Sequence, residues 1–242
     1  MTFRVCSLAA FMTLTFGLLG CEHPSGNPGP GPQVLRPEQQ LDFATLYRTN
    51  CAGCHGANGN HGPAIPLSNP VYLAFSGEDV LKTITAKGIP GKLMPAFAKS
   101  AGGILTDQQV AILAHGMIEA WGKPNLLISQ PPPPYKVTLN GDAIHGQQQF
   151  AVSCASCHGP NGGGGQKGNG EKIGSIIDQS YLSLISDQAL RSFVIAGLPD
   201  QGMPDWRSDS AIPMTDQQIT DVVTWLASLR GANAGQPYPV HP

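Results

Sequence analysis

Residues 51–55 read Cys-Ala-Gly-Cys-His, and residues 154–158 read Cys-Ala-Ser-Cys-His. The two pentapeptides begin 103 residues apart. Each is followed by a segment ending in Met-Pro, at residues 88–95 and 197–204, and then by the tetrapeptide Thr-Asp-Gln-Gln. In both copies the Met precedes the Thr by 12 residues. Because self-similarity at a fixed period marks a repeated fold, the sequence predicts two tandem units.

The pentapeptides place two thiols and one imidazole at a fixed spacing. A C-x-x-C pair by itself is compatible with a redox dithiol, with half of a zinc site, or with disulfides in an exported protein. The adjacent histidine favours a fourth interpretation. Thiols about one helical turn apart suit two thioether bonds to haem vinyl groups, and the imidazole then reaches the iron. Two copies in one chain make covalent haem attachment the preferred hypothesis.

With these motifs the sequence resembles the class I cytochrome c family twice, over residues from about 38 to 122 and from about 141 to 230. In that family an N-terminal helix leads into C-x-x-C-H, a loop carries an axial Met, and a C-terminal helix crosses the first helix. The resemblance implies an all-α fold of two tandem class I cytochrome c domains. Each would be a few short helices wrapped around one covalently bound haem c, giving two haem c groups in total.

Matching sets of haem-binding residues are expected in the two units. The thioether and proximal positions are Cys51, Cys54 and His55, with Cys154, Cys157 and His158 in the second unit. Met94 and Met203 are the candidate distal ligands, because both precede a Pro and lie 12 residues before the Thr of the repeated tetrapeptide. Their thioether sulfur is a soft ligand that favours Fe(II). Iron with six ligands has no vacant position for oxygen or peroxide, so these sets predict electron transfer rather than catalysis.

A proline carbonyl accepts the proximal histidine's ring N–H in this family. The resemblance gives that role to Pro63, for His55. The second unit departs from the pattern, because a glycine-rich loop without proline runs from Asn161 to Ile173. Another carbonyl is therefore expected beside His158, and the two haems are expected to differ in potential.

Local patterns predict where the helices begin and which faces they bury. A first helix is expected over residues 38–50, with Leu41, Ala44 and Tyr47 on one face. Thr106 and Thr215 are predicted N-caps, each followed by an acidic residue. Apolar stripes follow these caps, at Val110, Leu113, Ala114 and Met117, and at Ile219, Val222, Val223, Leu226 and Leu229.

Aligned positions of the two units predict how the first and last helices cross. Phe43 pairs with Gly116 in the first unit, whereas Gly146 pairs with Trp225 in the second. If each pair meets at the crossing, the large side chain has changed helices at a similar total volume, as a close-packed core requires.

The N-terminal segment reads as an export signal. Residues 1–20 contain Arg4 followed by an apolar run, and Leu-Leu-Gly then precedes Cys21, as in a bacterial lipobox. Lipidation of Cys21 is the favoured interpretation, ahead of cleavage nearby or an uncleaved anchor. Residues 21–37 would then be a flexible stem. Residues 123–140 are a Pro-rich linker, in which the polyproline run at 131–134 is expected to act as a semi-rigid spacer. Residues 231–242 are a tail.

Composition narrows the choice of function. The 242 residues include 30 Gly and 22 Pro, as in a chain with long irregular connections, and the formal net charge of −2 leaves no footprint for nucleic acid. We expect a single-electron carrier or complex subunit, lipid-anchored at the periplasmic face. Its donor would be a quinol-oxidising complex or a dehydrogenase and its acceptor an oxidase or similar protein, with no small-molecule substrate. The alternative is a dihaem peroxidase or thiosulfate-oxidising enzyme with one open haem site.

Overall fold

The computed structural model describes residues 31, 34–207 and 213–231. The predicted signal segment 1–20 and the lipidation candidate Cys21 lie outside this part of the chain. From Pro37 onward the chain is one compact unit that contains both repeats. Within the described residues the secondary structure is helical apart from one two-stranded hairpin, which confirms the all-α fold class.

The first repeat contains four α-helices. They are α1 (Phe43–Asn50), α2 (Ala52–His55), α3 (Pro70–Lys87) and α4 (Asp107–Trp121), with 3-10 turns at Pro37–Gln39 and Lys99–Ala101. Helix α3 is broken at Gly77, where φ is 72° and ψ is 168°. These angles are far from helical values, so α3 consists of two shorter helices joined end to end.

The second repeat follows the same order, with two separate helices in place of the broken α3 and with one hairpin added. It contains α5 (Ala143–Ser153), α6 (Ala155–His158), β1 (Gly165–Gln166), β2 (Lys172–Ile173), α7 (Gln179–Leu184), α8 (Asp187–Ala196), a 3-10 turn (Pro199–Gln201) and α9 (Asp216–Ser228). Strands β1 and β2 are antiparallel, with Gly165 opposite Ile173. In chain order α7 and α8 correspond to the two halves of α3.

The Thr-Asp-Gln-Gln motifs begin the last helix of each repeat with a capping box. Thr106 Oγ1 accepts a hydrogen bond from the Gln109 N–H at 3.2 Å, and Gln109 Oε1 accepts from the Thr106 N–H at 2.9 Å. Thr215 and Gln218 repeat this pair of bonds at 3.2 and 2.8 Å. Both predicted N-caps are confirmed, and each reciprocal pair satisfies two backbone donors that the helix leaves free.

The first and last helices of each repeat cross at the predicted residues. A Cβ on Gly116 would lie 2.3 Å from Cδ2 of Phe43, and one on Gly146 would lie 2.9 Å from Cβ of Trp225. Both glycines therefore allow the close approach of two helices. Of the predicted stripes, Leu229 is half-buried at the C-cap of α9 and the other members are buried: Val110, Leu113, Ala114, Met117, Ile219, Val222, Val223 and Leu226.

The first helix begins later than predicted and turns a different face inward. Asp42 is its N-cap, because the carboxylate accepts a backbone N–H from Thr45 at 2.7 Å. Leu41 lies before the cap and is 41% exposed, and Ala44 is also exposed. The predicted stripe is therefore wrong at Leu41 and Ala44 and confirmed at Tyr47, which is buried together with its neighbour Leu46.

The Pro-rich linker is fastened to both repeats. The guanidinium of Arg191 donates to the Pro134 carbonyl from Nε at 3.1 Å and from Nη2 at 2.7 Å. Gln188 donates to the Tyr135 carbonyl at 2.7 Å, and the Tyr135 ring centroid lies 5.5 Å from that of Phe75 in the first repeat. This stretch of linker is thus fixed against the protein body rather than acting as a spacer.

The two repeats share apolar packing. The hydrophobic cluster of the first repeat continues into the second through Ile195, Ala196, Trp206 and Ile219. Met214 packs against the clusters of both repeats. Among the described residues, none of the helices has the length and apolar character needed to cross a membrane.

Candidate haem-binding sites

Each C-x-x-C-H motif forms a single helical turn. The His55 N–H donates to the Cys51 carbonyl at 3.0 Å in α2, and the His158 N–H donates to the Cys154 carbonyl at 3.0 Å in α6. Residues three apart in a helix share a face, so the two thiols of each motif lie on the same side. All four of these cysteines, within the described chain, are unpaired thiols.

The two thiols of each motif differ in environment. Cys51 is buried and Cys154 is half-buried, whereas the second cysteine of each motif is exposed. Burial, helped by the charge of the neighbouring cysteine, raises the pKa of Cys51 to about 12 and that of Cys154 to about 11. Before haem attachment, the first cysteine of each motif is therefore a protonated thiol at neutral pH.

His55 is held in one orientation by a backbone carbonyl. Its Nδ1 lies 2.8 Å from the carbonyl oxygen of Ile65, and the side chain is 6% exposed. Burial lowers the pKa of His55, with the hydrogen bond to Ile65 opposing the shift, so the neutral imidazole is favoured. With Nδ1–H donating to Ile65, Nε2 keeps the lone pair that a metal requires.

The acceptor for His55 is Ile65, and the assignment to Pro63 is wrong. The Ala64 N–H donates to the Cys54 carbonyl at 3.0 Å, which fixes the path of the loop just after Pro63. Ile65 precedes Pro66, and a residue before proline favours an extended backbone. The carbonyl that faces the ring is consequently two residues further along. The dipeptide Ile65-Pro66 was the available sequence signal.

His158 lacks the corresponding contact. Its Nδ1 is buried and has no hydrogen-bond partner among the described residues. The Gly164 N–H bonds to the backbone carbonyl of His158 at 3.0 Å, and the chain then turns into the β1–β2 hairpin. The expectation that another carbonyl replaces the proline is therefore wrong for this structure. Burial lowers the pKa of His158 as well.

The segments that carry Met94 and Met203 are built alike. We call residues 88–95 the first methionine loop and residues 197–204 the second methionine loop. The Ile89 N–H donates to the Met94 carbonyl at 3.0 Å, and the Leu198 N–H donates to the Met203 carbonyl at 2.9 Å. Both methionines are half-buried. The shared Met-Pro register of the sequence thus corresponds to a shared backbone closure.

Each repeat contains the groups expected of a haem c site, which we call its donor set. It provides two thiols on one face of a helical turn, a neutral imidazole, and a half-buried Met in a closed loop. The buried Nδ1 and hydrogen-bonded Nδ1 of the two histidines both leave Nε2 for the metal. Across the described ranges, no cluster of three or more His, Cys, Asp or Glu side chains is arranged to hold a metal ion.

The other histidines lie apart from these donor sets. His115 Nδ1 is 3.1 Å from the Glu78 carboxylate on the surface, and His145 is exposed beside Asp142 at 3.7 Å. His61 has a φ of 59° and lines a cleft between the repeats.

Two family models match the chain, one on each repeat. Residues 38–115 match the model described as cytochrome c oxidase, cbb3-type, subunit III, and residues 143–230 match the model described as cytochrome c. With the fold and the two donor sets, these matches define a dihaem c-type cytochrome. Two covalently bound haem c groups are its cofactors.

Among curated proteins, the similar ones are oxidase subunits. The cbb3-type cytochrome c oxidase subunit FixPc of Rhizobium leguminosarum bv. viciae is 28% identical over 199 residues, covering 78% of this chain and 60% of that protein. Subunit CcoP of Rhodobacter capsulatus is 30% identical over 195 residues, covering 78% and 61%. The chain thus spans about 60% of the length of these relatives.

Among solved structures, a chain of the Kuenenia stuttgartiensis reducing HAO-like protein complex superposes with a TM-score of 0.43. The two are 16% identical, and the superposition covers 83% of this chain and 100% of that one. So loose a superposition adds nothing to the assignment.

Proposed function

We propose that this chain transfers single electrons between redox partners, as a subunit of an oxidase of the cbb3 type or as a carrier that serves one. Haem c, when bound, supplies a reversible one-electron couple. The observation that carries the proposal is the duplicated donor set, in which each repeat offers one imidazole and one thioether from closed backbone segments. The similarity to cbb3-type oxidase subunits supports an oxidase as the electron acceptor.

In this proposal two side chains of each repeat would hold its iron. His55 and His158 would bind from the helical turns, and Met94 and Met203 would bind from the methionine loops. Two protein ligands would leave no position for a substrate, so we assign no bond-making chemistry to these residues. Packing of the repeats against each other fixes the separation between the two donor sets.

The proposed location is the periplasmic face of a bacterial membrane. The export signal and lipobox pattern support anchoring through a lipid on Cys21, with a quinol-oxidising complex or a dehydrogenase as the electron donor. Cys21→Ser should move the protein from the membrane fraction to the soluble fraction while leaving its haem spectrum unchanged. Retention of this variant in washed membranes would remove the lipid anchor from the proposal.

Low-temperature EPR of the air-oxidised, haem-loaded protein tests the electron-transfer proposal. We expect two low-spin ferric signals that hydrogen peroxide leaves unchanged, because both irons hold a sixth protein ligand. A high-spin signal that peroxide alters would show an open site. That result would remove Met94 or Met203 from the ligand set and favour a dihaem enzyme.

A further inference from the structure

Both methionine loops lie where the two repeats meet. The first methionine loop reaches the second repeat through Lys92, and the second methionine loop is held by Asn69 of the first repeat. A cleft at this junction is lined by Ser68, Asn69 and Pro70 on one side and by Leu198, Pro199 and Asp200 on the other. Each methionine loop is therefore in contact with the neighbouring repeat.

Asn69 uses both ends of its side-chain amide. Oδ1 accepts from the Val71 N–H at 2.9 Å and so begins helix α3. Nδ2 donates to the carbonyls of Ala196 and Gly197 at 3.0 and 3.1 Å, and the side chain is 5% exposed. These carbonyls end α8, where helical carbonyls lack partners within the helix. Only a group that accepts and donates can serve both repeats.

The bond to Gly197 is transmitted to Met203 through a tight backbone contact. A Cβ on Gly197 would lie 2.6 Å from the Met203 carbonyl oxygen and 2.5 Å from the carbonyl carbon of Pro204. Leu198 and Met203 also exchange two backbone hydrogen bonds, at 2.9 and 3.1 Å. A displacement of Gly197 therefore moves the backbone of the ligand residue.

Lys92 makes the opposite connection. Its ammonium donates to the carbonyls of Ser183 at 2.9 Å and Ile185 at 3.2 Å, where α7 ends. Lys92 lies two residues before Met94, and its own N–H closes the loop by donating to the Ile89 carbonyl at 3.1 Å. The first methionine loop is thereby tied to the second repeat by a half-buried cation.

We propose that Asn69 and Lys92 are positioning residues that hold the two methionine loops across the junction. Ligation by Met203 then depends on a side chain of the first repeat, and ligation by Met94 depends on contact with the second. This inference rests on the proposed function, in which the two methionines are the axial ligands. Displacement of the axial methionine in one repeat is thus coupled to the contact of that repeat with the other.

Asn69→Asp in the full-length, haem-loaded protein tests the Asn69 contact. The carboxylate still caps α3 but cannot donate to the second repeat. Imidazole is titrated into the ferric protein, and the loss of the methionine-to-iron charge-transfer band reports displacement in each repeat. Imidazole competes with Met203 for the iron, so weaker positioning of Met203 strengthens imidazole binding. The lost hydrogen bonds contribute about 1 to 1.5 kcal/mol, which corresponds to about tenfold tighter imidazole binding at the Met203 site. The Met94 site should be unchanged.

NMR of the ferric protein assigns the two binding phases, because the axial Met methyl of each domain has its own resonance shifted by the paramagnetic iron. Asp178→Asn is the matched control, since Asp178 is the exposed N-cap of α7 in the second repeat and should move neither phase. Should Asn69→Asp fold poorly, Asn69→Ser also keeps a capping oxygen and removes the amide donor, with the same expected result.

Lys92→Met tests the Lys92 contact, because it keeps the alkyl chain and removes the ammonium. We expect about tenfold tighter imidazole binding at the Met94 site, with the Met203 site unchanged. Lys99→Met is the control, because Lys99 is exposed in the 3-10 turn that follows the loop, and it should have no effect.

The outcomes separate this inference from the proposed function. A wild-type spectrum without a methionine charge-transfer band would overturn the axial assignment itself. If the wild type shows methionine ligation in both repeats, equal effects of Asn69→Asp on the two phases would overturn the inference alone. An effect confined to the Met94 site, or none at either site, would do the same.

Discussion

His55 and His158 occupy the same place in the same pentapeptide but differ at Nδ1. The Nδ1–H of His55 points to the Ile65 carbonyl at 2.8 Å, whereas Nδ1 of His158 has no partner among the described residues. Donation from a ligating imidazole to a carbonyl raises its basicity and favours the more oxidised metal. The haem of the first repeat should therefore have the lower potential.

A potentiometric titration of the full-length protein checks this order. The haem of the second repeat should be reduced first, and NMR of the haem methyl groups at intermediate potentials assigns each step to its domain. Reduction of the first repeat ahead of the second would show that another influence outweighs the hydrogen bond at His55.

At the scale of single residues, the sequence predicts the candidate iron ligands better than the groups that hydrogen-bond to them. Two cysteines and a histidine within five residues follow from local spacing, so the attachment motifs could be read directly. The support of His55 depends on the path of a loop, and the carbonyl of Ile65 rather than Pro63 meets the ring. The lack of a hydrogen-bond partner for His158 Nδ1 among the described residues likewise depends on the path of the chain, which enters the β1–β2 hairpin after Gly164.

The helix crossings differ in what a larger residue would meet. A Cβ on Gly116 would contact the Phe43 ring, whereas a Cβ on Gly146 would lie 2.0 Å from the backbone carbonyl oxygen of Asp221. Overpacking of a core costs about 1 to 3 kcal/mol. The loss of stability should be near the lower end of this range for Gly116→Ala, because the Phe43 side chain can move aside. It should be near the upper end for Gly146→Ala, because the Asp221 backbone cannot move without moving its helix.

Urea unfolding of the haem-loaded variants measures these costs. Phe43→Ala should partly rescue Gly116→Ala by removing the ring, and Trp225→Ala should fail to rescue Gly146→Ala because its Cβ remains. Gly168→Ala is the control, since nothing lies within 4 Å of a Cβ there. Equal costs for the two crossings would contradict the difference between side-chain and backbone obstacles.

Helix faces and caps were predictable where one helix decides them. The stripes of α4 and α9 and their Thr caps follow from a 3.6-residue period and a local hydrogen bond. The start of α1 was not predictable in this way, because Asp42 is the N-cap and Leu41 therefore lies before the helix. Periodicity alone does not distinguish a residue within a helix from one just before its cap.

At the scale of the whole molecule, the buried Arg191 anchors the linker next to the contacts made by Tyr135. Arg191 is 2% exposed, and besides Pro134 it contacts Asp216 and donates to Thr220 Oγ1 at 3.3 Å. Arg191→Met removes these bonds and leaves Asp216 without its partner. Breaking a buried ion pair from one side costs about 3 to 5 kcal/mol, and the linker should detach.

Limited trypsin digestion measures that release, because Lys136 lies in the linker and is exposed. Arg191→Met should be cut after Lys136 several times faster than the wild type, with a lowered urea midpoint. Lys167→Met removes a surface pair with Glu171 and should change neither, since such pairs contribute about 0 to 1 kcal/mol. Equal cutting rates would place the anchor of the linker elsewhere.

Contacts between the repeats escape prediction for a simple reason. Asn69 and Ala196 are 127 residues apart in the chain, and Lys92 and Ser183 are 91 apart. No local pattern distinguishes this asparagine from an ordinary N-cap or this lysine from a surface residue. The polyproline run likewise reads as a spacer until Arg191 is known to reach it.

The break at Gly77 marks a joint that both repeats keep at the same place. A Cβ there would meet nothing within 4 Å, and the second repeat is interrupted at the corresponding place, between α7 and α8. Asn69 and Gly88 are 19 residues apart, as are Asp178 and Gly197, so the two repeats do not differ in length across this joint. The free space around Gly77 therefore offers a site where a short peptide tag could be inserted between the two halves of α3.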